Sequence, residues 1–260
     1  MGILNLTPDS FYDGGRYTNA ENIRAQLEKM VHEGATIIDM GGASTRPGAD
    51  PVAPHEELKR VLPVIELTKK YFPEIIISVD TFHSSVAREA VNAGAHIIND
   101  VSGGQSDDKM FETIVALEVP YILMHSKGTP KTMSKLNQYN DLTLDILDFF
   151  IERIGKLRAS GVKDIIIDPG FGFAKNIEQN FKLLKSLQTF KILDVPILAG
   201  LSRKSMIWRS LNIRPEEALN GTTALNMIAL LNGADILRVH DVKEAVQTIK
   251  MFKETMNNEQ

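Results

Sequence analysis

The sequence predicts a single-domain α/β protein whose eight parallel strands and intervening helices close into a (β/α)8 TIM barrel. Three observations favour this fold class. Short β-branched runs recur eight times, helical segments lie between them, and no Pro- or Ser-rich linker divides the 260 residues. A barrel of this kind takes about 250 residues as one unit, so we expect one domain over residues 1–260. An open, doubly wound sheet is the alternative that this pattern leaves.

The strand candidates are nearly continuous in apolar residues, which is typical of parallel strands covered on both faces. The isoleucine triplets at residues 75–77 and 165–167 show this most clearly. The eight candidates are residues 2–7, 36–42, 75–81, 96–102, 121–125, 164–170, 196–202 and 234–241.

The segments between the strands carry helix start and stop signals. In the first, Thr18 and Glu21 have the spacing of a capping box, and Gly34 suits the C-terminal cap. The second has apolar residues at helical spacing over 58–65, but Pro63 within it predicts a kink or an interruption.

Four glycines are each followed by a small or branched residue just before a strand candidate. We expect each of them to end one helix and start the next strand. They are Gly34, Gly94, Gly161 and Gly233. Their recurrence along the whole chain supports a repeated βα unit and a single closed barrel.

Composition excludes several classes of protein. Twenty-nine Lys and Arg against thirty-three Asp and Glu give a net charge of −4, so we expect no binding of nucleic acid or of an anionic membrane. The chain has no cysteine, which excludes disulfides and thiolate metal sites and fits a reducing cytoplasm, where we expect the protein to work. We expect no signal peptide and no membrane span. We also expect further residues before the first strand, which begins at once.

Motifs of several common enzyme classes are missing. The sequence has no Gly-x4-Gly-Lys-Ser/Thr loop and no complete dinucleotide-binding glycine fingerprint. It also has no His-Glu-x-x-His helix and no Gly-x-Ser-x-Gly elbow. These absences argue against P-loop, dinucleotide-binding, zinc-peptidase and α/β-hydrolase chemistry.

Polar residues follow nearly every strand candidate. The C-terminal ends of barrel strands meet on one face, so we expect these side chains to form one cup that serves as the active site. Asp39 and Asp100 are the members expected to be purely structural, because Asp also satisfies backbone groups at strand ends. The members are Asn5, Thr7, Asp39, Asp80, Asn99, Asp100, His125, Asp168, Ser202, Arg203, Lys204, Arg238 and His240.

Two long loops, at residues 7–17 and 43–54, follow the first and second strands. Both are charged and rich in Gly and Pro, and long loops on this face of a barrel are usually lids. Phe11, Arg46 and Pro47 are unusual residues for passive connections. We therefore predict that the two loops close over a bound substrate.

Several motifs together resemble the dihydropteroate synthases, a pterin-binding family. The longest are Asn-Leu-Thr-Pro-Asp-Ser-Phe at 5–11, Gly-Gly-Ala-Ser-Thr-Arg-Pro-Gly at 41–48 and Asp-Pro-Gly-Phe-Gly-Phe at 168–173. Shorter ones extend the resemblance across the chain at 78–81, 98–101, 124–125, 202–205 and 238–241. The chain departs from the family at Ala43, where an acid is common, and at 126–128, where a Met-Gln-Gly-like segment is common.

The resemblance implies that 6-hydroxymethyl-7,8-dihydropterin diphosphate condenses with p-aminobenzoate, with Mg2+ assistance, to give 7,8-dihydropteroate and pyrophosphate for folate biosynthesis. The residues implied for the pterin diphosphate are Thr45, Asp80, Asn99, Met124, Asp168, Lys204, Arg238 and His240. Those implied for p-aminobenzoate are Phe11, Pro47, Phe173 and Ser202. The catalytic residues implied are Asp9, Arg46, Lys204, Arg238 and His240. Asn5 would hold the Mg2+, and helices near 215–232 and 242–256 would form a homodimer.

The chemistry of these residues suits those substrates. A pterin presents a planar edge of N–H donors, to which a carboxylate such as Asp168 can accept two parallel hydrogen bonds. The Arg238 guanidinium can stack on the ring while its edge contacts phosphate. Mg2+ keeps most of its waters and takes phosphate oxygens, so one protein ligand suffices. We expect an SN1-like departure of pyrophosphate, with Asp9 stabilising the pterin cation electrostatically.

Two other functions remain open at this stage. A methyltetrahydrofolate-type methyltransferase would share Asp80, Asn99 and Asp168 and would need a cobalamin partner, but it has no use for the cations at 202–204 or for the first lid. A catalytically inactive barrel would bind pterin or only support a dimer. The intact polar cup argues against that second alternative.

Overall fold

The structure is a computed structural model that describes residues 1–7, 16–44, 48–129 and 131–257. The strands are β1 (Gly2–Asn5), β2 (Ile37–Gly41), β3 (Ile76–Asp80), β4 (Ile97–Asp100), β5 (Tyr121–Met124), β6 (Ile165–Asp168), β7 (Leu198–Ala199) and β8 (Ile236–Leu237). The α-helices are α1 (Arg16–His32), α2 (Pro54–Tyr71), α3 (Ser84–Ala93), α4 (Met110–Leu117), α5 (Leu142–Ala159), α6 (Ile177–Lys185), α7 (Ser205–Ser210), α8 (Leu219–Leu231) and α9 (Val242–Asn257). Three short 3-10 helices cover Met133–Lys135, Leu187–Leu193 and Pro215–Glu217.

The eight strands are parallel and close into a ring. β1 to β6 pair in chain order, and β7 pairs with β8. Between β6 and β7, the Ile167 amide donates to the Pro196 carbonyl at 2.9 Å. Between the end of β8 and β1, the Ile3 amide donates to the Val239 carbonyl at 2.9 Å. These two junctions confirm the predicted barrel and reject the open sheet.

All eight predicted strands are confirmed, and each is shorter than its apolar run. β7 and β8 have only two residues each, where seven or eight were predicted. The missing residues lie mainly at the C-terminal ends of the runs, where the chain leaves the hydrogen-bonded ladder and turns into the loops of the polar face. The predicted strand ends are therefore the places where functional side chains leave the sheet.

The four glycine hinges are confirmed as left-handed helix ends. Gly34, Gly94, Gly161 and Gly233 have φ of 97°, 118°, 97° and 92°, a region that favours residues without a Cβ. In each case the following amide donates to the carbonyl five residues earlier, at 2.9 to 3.0 Å. This bond is the signature of the Schellman motif, which turns each helix directly into the next strand.

Two details of the predicted helices differ from the structure. α1 begins at Arg16, so Thr18 lies inside the helix and is not the N-cap residue that a capping box with Glu21 requires. The chain extends the helix upstream because residues 16 and 17 are not helix breakers. α2 continues through Pro63 without the predicted interruption, and a kink at this residue stays a prediction. Proline removes one helical hydrogen bond, but the packing of neighbours such as Val61 in the core holds the helix together.

No helix in the described ranges has both the length and the apolar character needed to cross a bilayer.

Candidate active site

The central residues of the predicted polar set project into the barrel one layer above an apolar floor. The floor is a cluster separate from the main core, formed by Ile97, Ile122, Ile166, Leu198 and Ile236. Two residues further along the same strands, or just past their ends, come Asn99, Met124, Asp168, Gly200 and Arg238. Side chains on a strand alternate with a period of two, so both sets face the same interior. The predicted cup is therefore one layer of the barrel.

Arg238, just past β8, ties this layer together. Its Nε donates to Asp39 Oδ2 at 2.6 Å, and its Nη2 donates to Asp80 Oδ2 at 2.9 Å. Asp39 also accepts the Ser78 hydroxyl at 2.6 Å and the Asn99 amide at 3.0 Å. The guanidinium plane is thereby fixed by residues from three other strands, and Nη1 makes no hydrogen bond within the described part of the chain.

The two carboxylates share this single cation. Burial raises the pKa of Asp80 to about 8, against the attraction of Arg238, and the charge of Asp39 adds to the rise. The attraction of Asp39 and Asp80 outweighs burial at Arg238 and raises its pKa above the ordinary value. Arg238 is therefore permanently charged, and Asp80 takes up a proton more readily than an ordinary aspartate.

Asp168, at the end of β6, lies two strands away from Arg238 around the ring. Its Oδ1 accepts the Gly170 amide at 2.7 Å, and a Cβ on Gly200 would lie 3.8 Å from Oδ2 and 4.0 Å from Arg238 Cβ. Burial raises the pKa of Asp168, while Lys204, the Gly170 amide, Arg238 and Lys175 act in the opposite direction. Oδ2 makes no hydrogen bond within the described residues, so it is available to a ligand.

Lys204 reaches across the mouth toward the loop after β6. Its amine donates to the Phe171 carbonyl and lies 4.9 Å from the centre of the Phe173 ring. Gly172 is required here, because its φ is 81° and a Cβ would approach the Lys204 side chain to 3.2 Å. Burial lowers the pKa of Lys204 to about 8, with Asp168 opposing, so the amine is an ammonium at pH 7.

Ser202 and His240 link the ends of β7 and β8. The Ser202 hydroxyl lies 3.0 Å from His240 Nδ1 and accepts the His240 amide at 3.2 Å. Both residues thus stand on the same side of the cup as Lys204 and Arg238. This side carries the cations, whereas the carboxylates and Asn99 lie on the strands between.

A cavity of about 550 Å3 opens between the loops that follow β2 to β6. Its apolar walls include Phe82, Val101, Met133 and Phe173. A volume of this size is in the range of small-molecule sites. Phe173 forms part of the wall and is also the ring that Lys204 contacts, so the cavity adjoins the polar cup.

Asn5 ends β1 in register with Gly41 of β2 and is half-buried. In the described residues, no group of three or more His, Asp or Glu could bind a metal ion. The amide oxygen of Asn5 is a hard donor of the type that Mg2+ accepts. The site therefore fits a cation held chiefly by water and substrate phosphate, and Mg2+ at Asn5 stays a prediction.

Five predicted site residues fall outside the described ranges: Asp9, Phe11, Thr45, Arg46 and Pro47. They belong to the two predicted lids, and their roles stay predictions. The structure brings the other ten together at one end of the barrel. These are Asn5, Asp80, Asn99, Met124, Asp168, Phe173, Ser202, Lys204, Arg238 and His240.

Asp39 and Asp100, both predicted to be structural, have different roles. Asp100 faces away from the interior and accepts the amides of Ser102 and Gly104 at 2.7 and 2.8 Å and the Tyr121 hydroxyl at 2.6 Å. It shapes the turn after β4. Asp39, in contrast, orients two predicted ligands of the pterin, because it binds both Arg238 and Asn99.

Sequence reasoning missed two buried ionisable residues beside the cup. Lys175 is 9% exposed, and its amine lies 3.1 Å from Nδ1 of the buried His125. Glu57 of α2 is fully buried, and neither of its oxygens makes a hydrogen bond to the described residues. A signal for Glu57 was present, since it lies four residues before Val61 on the buried face of α2.

Glu57 should make the stability of the protein depend on pH. Burial raises the pKa of Glu57 from 4.5 to about 7, with small opposing effects of Thr81 and Arg60. The native state therefore binds the proton more tightly than the unfolded state, and its advantage is complete below pH 4.5 and lost as the pH rises through 7.

We expect the free energy of unfolding of the unmodified protein to fall by about 2 kcal/mol between pH 5 and pH 8 relative to Glu57→Gln, since one pKa unit corresponds to 1.36 kcal/mol. Urea denaturation at the two pH values measures the difference. Glu66→Gln, an exposed residue of the same helix, is the matched control and should follow the unmodified protein. Parallel pH profiles for Glu57→Gln and the unmodified protein would contradict the assignment.

Comparison with known proteins places this site in a family. The family model described as pterin binding enzyme matches residues 1–240. The dihydropteroate synthase of Escherichia coli strain K12 is 44% identical over 259 residues, covering 99% of this chain and 91% of the relative. This confirms the resemblance that the motifs predicted.

Solved structures agree with the sequence comparison. A dihydropteroate synthase from Clostridium difficile, solved in the presence of pteroic acid, superposes with a TM-score of 0.92 at 41% identity, covering 98% of this chain and 95% of the other. The Xanthomonas albilineans enzyme, solved with 4-aminobenzoic acid, gives 0.91 at 40% identity, with 98% and 92% covered. On its fold, its polar cup and this similarity over nearly its whole length, the chain belongs to the pterin-binding enzyme family, within the dihydropteroate synthases.

Proposed function

We propose that the interior layer of this barrel binds the pterin diphosphate of the dihydropteroate synthase reaction, with Asp168 accepting the N–H edge of the ring. The observation that carries this is the fixed geometry of the cup: one carboxylate oxygen of Asp168 points inward without a hydrogen bond in the described residues, in the same interior layer as the Arg238 network. The crystallised relative that was solved with pteroic acid supports a pterin ligand.

Asn99 and Asp80 complete the ring site beside Asp168. Asp80 and Asn99 are register neighbours on β3 and β4, and Met124 is the neighbour of Asp168 on β5. Asn99 supplies both a donor and an acceptor, as ring nitrogens beside an amino group require. Arg238 is held edge-on by its two acids, so its flat face can stack on the ring.

p-Aminobenzoate binds at the mouth, between Phe173 and Lys204. The amine of Lys204 lies over the Phe173 ring, where a second aromatic ring and a carboxylate would find an apolar surface and a cation together. Ser202, which is hydrogen-bonded to His240, belongs to the same site. The relative solved with 4-aminobenzoic acid supports this acceptor. Phe11 and Pro47 would cover it from the lids.

The diphosphate lies toward Arg238 and His240, where the charge of Arg238 favours the leaving group, and the predicted role of Arg46 would add a second charge from its lid. Asn5 would hold a Mg2+ ion, which when bound offsets phosphate charge. The Ser202 hydroxyl orients the His240 ring, and Arg238 keeps its proton. His240 and Arg238 therefore remain directed toward the departing oxygen.

The carbon–oxygen bond breaks before the amine attacks, which leaves a pterin cation for Asp9 to stabilise. We expect Asp9→Ala to reduce the single-turnover rate about 100-fold or more, while pterin affinity changes little, because the carboxylate acts mainly in the transition state. Rapid-quench measurement with pre-bound pterin diphosphate tests this, with Asp13→Ala as the matched control in the same loop. An unchanged single-turnover rate would remove Asp9 from this role.

The reaction itself is tested by release of pyrophosphate. We expect release only when the pterin diphosphate, p-aminobenzoate and Mg2+ are all present, with one 7,8-dihydropteroate formed per pyrophosphate. Binding of the pterin without release would instead favour an inactive barrel. Methyl transfer to a cobalamin partner would favour the methyltransferase alternative.

The protein works as a homodimer through α8 and α9. Ile228 and Leu231 on α8 and Met251 and Met256 on α9 are large apolar side chains that are 41% to 60% exposed, and the two helices pack side by side. Analytical ultracentrifugation should show a dimer that Leu231→Glu dissociates. Ile192→Glu, which changes an exposed residue elsewhere, should leave the dimer intact.

A further inference from the structure

The loop after β6 carries one residue for each proposed substrate, Asp168 at its start and Phe173 near its end. Every second residue of its backbone from Gly170 to Ala174 has a left-handed conformation: φ is 72° at Gly170, 81° at Gly172 and 50° at Ala174. A left-handed alanine is disfavoured by its Cβ, so the surroundings must hold this conformation. Among the described residues, the only backbone–backbone hydrogen bond within the loop is from the Phe173 amide to the Gly170 carbonyl, at 3.1 Å.

Lys175 folds back under this loop and binds it at two points. Its amine donates to the Gly170 carbonyl at 2.9 Å and to the Phe173 carbonyl at 3.0 Å. The third neighbour is Nδ1 of His125, at 3.1 Å. Two carbonyls and one ring nitrogen equal the three hydrogen-bonding positions of a lysine amine. Lys175 therefore has no hydrogen-bonding capacity left for a substrate.

The third neighbour of the Lys175 amine, His125, is closely packed below the loop. His125 is buried against Phe149, with the two ring centres 4.9 Å apart and nearly perpendicular. Its amide donates to the Asp168 carbonyl at 2.9 Å, so the end of β5 is bound to the start of the loop. A Cβ on Gly170 would meet the His125 carbonyl at 2.0 Å, which shows how closely the loop is seated.

We propose that Lys175 is a positioning residue of this enzyme. Its buried amine fixes the conformation of the loop after β6, so that Asp168 faces one substrate while Phe173 faces the other. The inference rests on the proposed function, because it assigns Asp168 to the pterin and Phe173 to p-aminobenzoate. Lys204 holds the intervening Phe171 carbonyl from the opposite side. The loop is thus held between two lysines, of which only Lys204 faces the substrates.

Burial lowers the pKa of the Lys175 amine, against the attraction of Asp168. The hydrogen bonds persist in either protonation state, since a neutral amine can donate to both carbonyls and accept from the Nδ1 proton of His125. The positioning role is therefore independent of the charge of Lys175.

Lys175→Met keeps an unbranched side chain, one atom shorter than lysine, and removes the amine. We expect the KM for p-aminobenzoate and the dissociation constant for the pterin diphosphate each to rise about tenfold, because the loop loses the amine that holds two of its carbonyls. The turnover number at saturation should change less than either constant. Lys182→Met, an exposed lysine of α6, is the matched control and should match the unmodified enzyme.

A second experiment separates positioning from folding. The chain has no cysteine, so Lys175→Cys carries the only thiol. Alkylation of the unfolded chain with 2-bromoethylamine, with loss of bromide, gives a side chain that is isosteric with lysine. Alkylation with 1-bromopropane gives the same length without the amine. After refolding, both constants should return to within about twofold of the unmodified enzyme for the aminoethyl adduct alone.

Three outcomes are distinct. Equal recovery by both adducts, or Lys175→Met with both constants unchanged, would overturn the role of Lys175. Recovery by the aminoethyl adduct only supports it. An unmodified enzyme that forms no product before any unfolding would instead defeat the proposed function.

Discussion

Replacement of Asp168 by Asn is expected to lower kcat/KM for the pterin diphosphate about 100- to 10,000-fold. The carboxylate accepts two hydrogen bonds from the pterin edge, and each charged hydrogen bond contributes about 1.5 to 3 kcal/mol. Asparagine has the same shape, but its NH2 group would face a ring donor and leave two polar groups unpaired. The loss should therefore exceed that of a simple deletion of one contact.

The measurement is the initial rate of pyrophosphate release at several pterin concentrations, together with calorimetric titration of the same ligand. Asp164→Asn is the matched control, because Asp164 is exposed at the opposite end of the β6 segment. It should leave kcat/KM unchanged. A loss smaller than tenfold for Asp168→Asn would remove Asp168 from the pterin edge and with it the orientation proposed for the ring.

The position of the cup could be predicted because it depends only on local patterns. Apolar runs identified the strands, and the polar residue that ended each run marked the same edge of the barrel. Side chains on a strand alternate between its two faces, which predicts which polar residues enter the cup. Asn99 lies two residues beyond Ile97 of the apolar floor and faces the interior, whereas Asp100 has the opposite parity and faces outward. That distinction was available in the sequence.

The partners of these residues could not be predicted. Lys175 follows an alanine and precedes an asparagine at a helix cap, a setting typical of a surface lysine. It is buried because two backbone carbonyls and His125, 50 residues away, happen to converge on its amine. Asp39 likewise binds Arg238, which lies 199 residues away. Only the closed ring brings such pairs together.

Replacement of Arg238 by Met is expected to lower the free energy of unfolding by about 3 to 5 kcal/mol, the usual effect of leaving buried charges without a partner. Asp39 is fully buried and Asp80 nearly so, and Arg238 is the cation that both carboxylates contact. The variant should also lose activity, because the guanidinium that would contact the diphosphate is gone. Urea denaturation at pH 8 measures the stability.

Arg203→Met is the matched control for this substitution. Arg203 forms two hydrogen bonds with Asp241, at 3.0 and 2.7 Å, but its side chain is 32% exposed. Water can replace these contacts, so we expect a loss of about 1 kcal/mol or less. Similar losses for the two variants would mean that burial of the Arg238 network has no energetic consequence.

The cause of the Arg238→Met effect can be separated from lost packing with a second substitution. Adding Asp39→Asn to Arg238→Met removes the orphaned charge of Asp39, so the double variant should be more stable than Arg238→Met alone. Asp80 should contribute little, because burial raises its pKa to about 8 even beside Arg238, and loss of Arg238 removes the charge that opposes this rise. A destabilisation that Asp39→Asn does not reduce would assign the effect to packing instead of charge.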